Sequence, residues 1–228
     1  MNEFNEQEFF FIDILDKNKS KNKGLNLYKD LVYNRFYEVI SGANPILIKL
    51  INKKELEFLI FQFMKNGSKT EFIWEVPKEF KNFIKNREDI KIKYPFIVDL
   101  MWFEWIEISM IMKNYNNFQY DSLDLNQKYK LSESTKIKKL SFKVYENEFD
   151  KKGLYPILVY YDFKKSQVIY REISVFMYKF LKNISKISIN ETIKILSEKY
   201  SINDDELKNV LCEALIELCS LGILKIKG

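Results

Sequence analysis

The chain has 228 residues, 46% hydrophobic and 30% charged, with a net charge of +5; this excludes a disordered tail and allows one large or two small domains. No histidine is present, which excludes Ser-His and Cys-His nucleophiles, imidazole proton shuttles and histidine-ligated zinc or iron sites. The two cysteines, Cys212 and Cys219, are too few for a disulfide framework or a four-thiolate metal site, so a reducing cytoplasm is the expected setting.

The opening MNEFNEQEFFFIDILDK starts with acids and has an apolar run of only four residues, Phe9 to Ile12, so no signal peptide is expected. The longest uncharged stretch, Val39 to Ile48, is ten residues. A membrane-spanning helix needs roughly 20. A short helix is expected over Phe4 to Leu15, then one over Leu27 to Ile40 with Tyr28, Val32, Phe36 and Val39 on one stripe and Gly42 and Pro45 at its end. Lys53 to Asn66 repeats apolar residues at Leu56, Leu59, Ile60 and Phe63 and stops at Gly67. Pro77 suits a first helical position ahead of Phe80, Phe83 and Ile84. The longest helix is predicted from Pro95 to about Lys113, with Ile97, Leu100, Met101, Trp105, Ile108 and Met112 inward.

From about Tyr120 short apolar runs replace helical periodicity. Leu123 to Lys130 and Leu140 to Tyr145 are expected strands, and Tyr155 to Tyr161 and Gln167 to Ile173 a hairpin. Helices follow over Val175 to Asn183, Glu191 to Tyr200 and Asp204 to Leu221, capped by Ser174, Asn190 and Asn203. Gly222 ends the last, and Ile223 to Lys227 reads as a closing strand or a frayed tail. The expectation is a mainly α protein with a small antiparallel β-sheet: a helical domain, 1–119, and a winged-helix-like α+β domain, 120–228.

Two ligand classes use that second architecture. DNA readers push the third helix into the major groove. Here it carries Asp204, Asp205, Glu206, Glu213 and Glu217 against Lys208 alone, a net charge of −4 that a duplex repels. Only Arg35, Arg87 and Arg171 are arginines, so few side chains suit bidentate base reading. Peptide readers instead add an extended segment to the sheet edge beside that helix. With Leu207, Leu211, Ala214, Leu218 and Leu221 as the core stripe, Lys208, Cys212, Leu215 and Cys219 are expected to line a groove with Val168, Ile169, Tyr170 and Arg171. Ordinary packing of Cys212, Leu215 and Cys219, and an internal ion pair for Arg171, are the alternatives.

The segment from VIYREISVFMYKFL to LCSLGIL resembles the leader-recognition element of systems that modify ribosomally made peptides. LYKDLVYNRFYEVISGANPILIKLI, FIWEVPKEFKNFI and YPFIVDLMWFEWIEI resemble the helical domain of the HvfC and MbnC type partner proteins, a family whose older label is that of a DNA-binding domain. Tyr28, Tyr33, Arg35, Pro45, Trp74, Phe80, Pro95, Asp99, Glu104 and Trp105 match its spacing, and the likeness spans roughly residues 5 to 225. It implies a non-catalytic subunit without a cofactor of its own. Such a subunit presents a precursor leader peptide to an iron-dependent TIM-barrel oxidase that modifies cysteines; from the acidic third helix and the lack of a long apolar run, neither nucleic acid nor a membrane is an expected partner.

Arg35, Trp74, Trp102, Glu104 and Trp105 are the expected partner-interface residues, since aromatic anchors and arginine dominate binding hot spots. Glu104 and Glu107 share a helix face, but di-metal bundles take Glu-x-x-His pairs, so a tie from Asp99 and Glu104 to a neighbouring helix, through Arg35, is the plainer expectation. NGSKT at 66–70 lacks the order of a phosphate loop. No catalytic or metal-ligating residue is expected. The competing function is a winged-helix transcriptional regulator that binds duplex DNA.

Overall fold

A computed structural model describes residues 21–120 and 122–227; the helix expected over 4–15 lies outside them. Asn22 caps α1 (Lys23–Ala43), its side chain accepting the Gly24 and Leu25 amides. A single turn, α2 (Leu47–Leu50), leads to α3 (Lys53–Asn66), which Asn52 caps and Gly67 ends at φ 71°. After a 3-10 turn at Ile73–Glu75 come α4 (Val76–Lys85), with Pro77 in its first turn, α5 (Glu88–Lys93) and α6 (Ile97–Ile111). Phe63 of α3 centres this core, with its ring 5.4 to 6.0 Å from those of Phe36, Phe80 and Phe83. Leu56, Leu59, Ile60, Phe80, Ile84, Ile97, Leu100 and Met101 are buried as expected, whereas Ile108 is half-buried and Met112 exposed.

The chain divides into two compact units between Ser109 and Met110, not at the expected 119/120. The intervening residues belong to the second unit because the Tyr115 ring packs on Tyr161 and the Tyr120 amide donates to the Cys219 carbonyl. That unit opens with β1 (Tyr129–Leu131) and β2 (Thr135–Leu140); the strands expected over 123–130 and 140–145 are thereby corrected. Val144–Glu146 forms a 3-10 turn where the second of them was expected. A hairpin of β3 (Tyr155–Asp162) and β4 (Gln167–Glu172) follows, then α7 (Val175–Asn183), α8 (Ile189–Tyr200), α9 (Asp204–Ser220) and β5 (Leu224–Ile226). The fold is mainly α with small antiparallel sheets: β2-β3-β4 in that order, and β1 paired with β5.

Ile157, Leu158, Val159 and Tyr160 are all buried, so the central strand β3 reads as a continuous apolar run. Leu158 and Tyr160 join one cluster with Phe180, Ile193, Leu211, Leu215 and Cys219. Ser188, not Asn190, caps α8 in a reciprocal capping box with Glu191. Among the described residues no helix is long and apolar enough to cross a membrane.

The end of α9 turns on Gly222 at φ 70°. Its amide donates to the Cys219 carbonyl and that of Ile223 to Leu218, a Schellman pair that feeds the chain into β5. A Cβ there would sit 2.9 Å from the Phe118 carbonyl oxygen, on backbone that has little room to yield. Gly222→Ala is expected to cost roughly 2 kcal/mol from the left-handed φ and the clash together, read as a lower urea midpoint at unchanged m-value. An unshifted midpoint would show that the turn relaxes freely.

Candidate functional site

β4 follows β3 through a hairpin and lies at the sheet margin. The Ile173 amide donates to the Pro156 carbonyl, which sets the alternation: Gln167, Ile169 and Arg171 turn their backbone groups toward β3, whereas Val168, Tyr170 and Glu172 turn theirs outward. Side chains alternate as well. Arg171 pairs in register with buried Leu158 and shares its face, the one packed on α7 and α9.

On that face Leu158, Arg171, Ile173, Met177, Leu181, Ala214, Glu217 and Leu218 line a groove with about 330 Å³ of free volume. Its floor is apolar. Across its rim the Arg171 Nη1 lies 3.0 Å from Glu217 Oε1, and Nη2 donates to the Tyr160 hydroxyl at 3.4 Å. Partial burial opposes the Arg171 charge, but the bonds to Tyr160 and Glu217 more than offset it and hold the guanidinium above its ordinary pKa. Both partners are well exposed, so the bridge contributes at most about 1 kcal/mol and opens readily. On the other face of β4 the Tyr145 hydroxyl donates to Glu172 at 2.7 Å, and its ring packs against Tyr170.

Four expected groove residues on α9 lie elsewhere. Leu215 and Cys219 are fully buried in the core, and burial pushes the Cys219 thiol up to about 11, far from a reactive thiolate. Lys208 is exposed and Cys212 half-buried, on the flank of α9 away from the lining residues Ala214, Glu217 and Leu218. The helix is rotated from the expected stripe because Leu207, Leu211, Leu215 and Leu218 are its buried set, with Cys219 beside them. Val168 and Ile169 are half-buried and Tyr170 exposed, as edge positions require; Arg171 takes the internal ion pair while keeping its place at the rim. Ile173, Met177, Leu181 and Glu217 were not anticipated, although the 173, 177, 181 spacing after a strand signals one apolar helix flank facing it.

In the first unit, Arg35, Phe36, Val39, Ile73 and Val76 line a shallower apolar recess of about 180 Å³. Trp74 belongs to the same 3-10 turn, half-buried, its ring 6.1 Å from that of exposed Phe72. Arg35 is exposed beside Glu38 at 3.9 Å and gives no tie to Glu104. Glu104 is instead buried, accepting the Ile46 amide and, at 3.4 Å, that of Leu47, so it caps α2. Burial raises its pKa to about 7 against the lowering effect of those two amides and Lys49. Trp105 is also buried, with the ammonium groups of Lys78 and Lys81 5.8 and 5.1 Å from its ring centroid. Neither Glu104 nor Trp105 is therefore a surface anchor; Trp102 is half-buried.

Among the described residues no three Cys, Asp or Glu side chains converge on a site fit for a metal ion. No protein-family model matches the chain, and no curated protein matches it either.

Proposed function

We propose that the chain is a cytoplasmic, non-catalytic adaptor: the second unit captures the leader of a ribosomally made precursor by strand addition at β4, and the first unit grips an iron-dependent TIM-barrel oxidase that modifies cysteines in the core peptide. The observation that carries the reading is the pairing of a marginal strand with an apolar groove beneath it. Outward backbone groups at Val168 and Glu172 suit a ladder, and the groove under Arg171 suits alternate side chains of the added strand. The recess at Arg35 and Val39, with Phe72 and Ile73 exposed beside it, supports the enzyme-docking role. Tethering the leader raises the local concentration of the core to the millimolar range for a short flexible connection, so the enzyme need not hold it tightly.

Duplex reading is the poorer fit, because the exposed surface of α9 carries Asp204, Asp205, Glu206, Glu213 and Glu217. Co-expression with an iron-dependent TIM-barrel oxidase and its precursor peptide is expected to yield a ternary complex on pull-down, with core modification only when the chain is present. Association with neither protein, or a duplex gel shift that weakens steeply with salt, defeats the proposal.

A further inference from the structure

The groove wall contributed by α9 is charged in a patterned way. Glu206, Val210, Glu213 and Glu217 recur at i, i+4, i+7 and i+11, one stripe along the helix, and all four are exposed, Val210 at 70%. Among the described residues only Glu217 of these carboxylates forms an ion pair, with Arg171. Glu217 thus meets the guanidinium at the rim, with Glu213 one turn before it on the same stripe, over a floor of Ile173, Met177, Leu181 and Leu218.

Resting on the strand-addition reading, we infer that the groove selects a cationic peptide, one carrying lysine or arginine two positions from an aliphatic residue. Directly paired residues of adjacent strands project side chains to the same face, about 5 Å apart at Cβ, and so do residues two apart on one strand. A peptide residue opposite Arg171 therefore points toward α9, and one opposite Ile173 points over the apolar floor. A cation at the first position takes Glu217 and Glu213 and releases Arg171 toward solvent. A carboxylate there meets two glutamates and gains at best one shared guanidinium. The aliphatic neighbour supplies buried area, and the cation supplies selection against acidic segments.

The test uses ten-residue fluorescein-labelled peptides with leucine at alternate positions and lysine, glutamine or glutamate at the central inward position, titrated by anisotropy into the full chain. The lysine peptide is expected to bind about tenfold tighter than the glutamate peptide at 50 mM salt, with glutamine between. In the Glu213→Gln/Glu217→Gln variant, whose circular dichroism should match the wild type, the ratio is expected to fall below about twofold. Equal binding of lysine and glutamate peptides overturns the inference and leaves strand addition standing, as does a preference that survives the double substitution. Saturation by none of the three overturns strand addition itself.

Discussion

Across pH 4.5 to 7 the wild-type chain loses roughly 2 kcal/mol of stability that a Glu104→Gln variant does not lose. The sign follows from the cap on α2. Burial raises the folded-state carboxyl to about 7 from 4.5, so in this window the folded chain holds a proton that the unfolded chain has released. The Glu104 contribution is greatest below 4.5, falls as pH rises, and is level above about 7. At about 1.36 kcal/mol per pH unit the full cost between 4.5 and about 7 is about 3 to 4 kcal/mol, and partial solvent screening lowers it to about 2. No histidine titrates in that interval. Asp89, Glu133 and Glu191, whose carboxyls are held low by Arg87, Lys225 and the Ser188 amide, lose their contributions only at more acidic pH. Urea midpoints at pH 5, 6, 7 and 8 for both proteins measure the difference; parallel profiles would show that Glu104 is not the group responsible.

Peptide capture should fail, by at least tenfold in affinity, when Val168 becomes proline. The alternation along β4 turns the Val168 amide outward, so the substitution removes one donor from the margin and none from the β3 ladder, and proline is tolerated at such edge positions. Ile169→Pro is the contrasting variant: it breaks the bond toward Tyr160 and should unfold the hairpin. Anisotropy with the lysine-bearing peptide, alongside a thermal melt, separates the two effects. Undiminished binding by a folded Val168→Pro chain would mean that the peptide does not extend the sheet.

The longer helices were legible because several of their start and stop signals are local. Ser174 and Asn203 accept amides within three residues, and Gly67 and Gly222 adopt the positive φ their placement implies, whereas the Asn22 cap starts α1 ahead of the expected Leu27 and the short α2 and α5 were not anticipated. The β3–β4 hairpin was legible as a buried run and a partner around a polar turn. β2 was not, because TKIKKL has no strand-like apolar alternation and is extended only because β3 needs a second partner. α9 misled because two adjacent stripes, 207/211/214/218 and 208/212/215/219, are both largely apolar, and only packing against Leu158 and Phe180 decides between them. Glu104 could not be assigned from sequence, since its partners are backbone amides that any residues would supply.

The sheet has two margins, and they are unequal. Lys136, Lys138 and Lys139 stud β2, so a like strand approaching there brings ammonium against ammonium. Growth of the sheet past β2 is opposed, and addition at β4 by a second copy closes on itself as a pair. If β4 takes a foreign strand as proposed, this asymmetry keeps the chain from becoming the template for its own fibre.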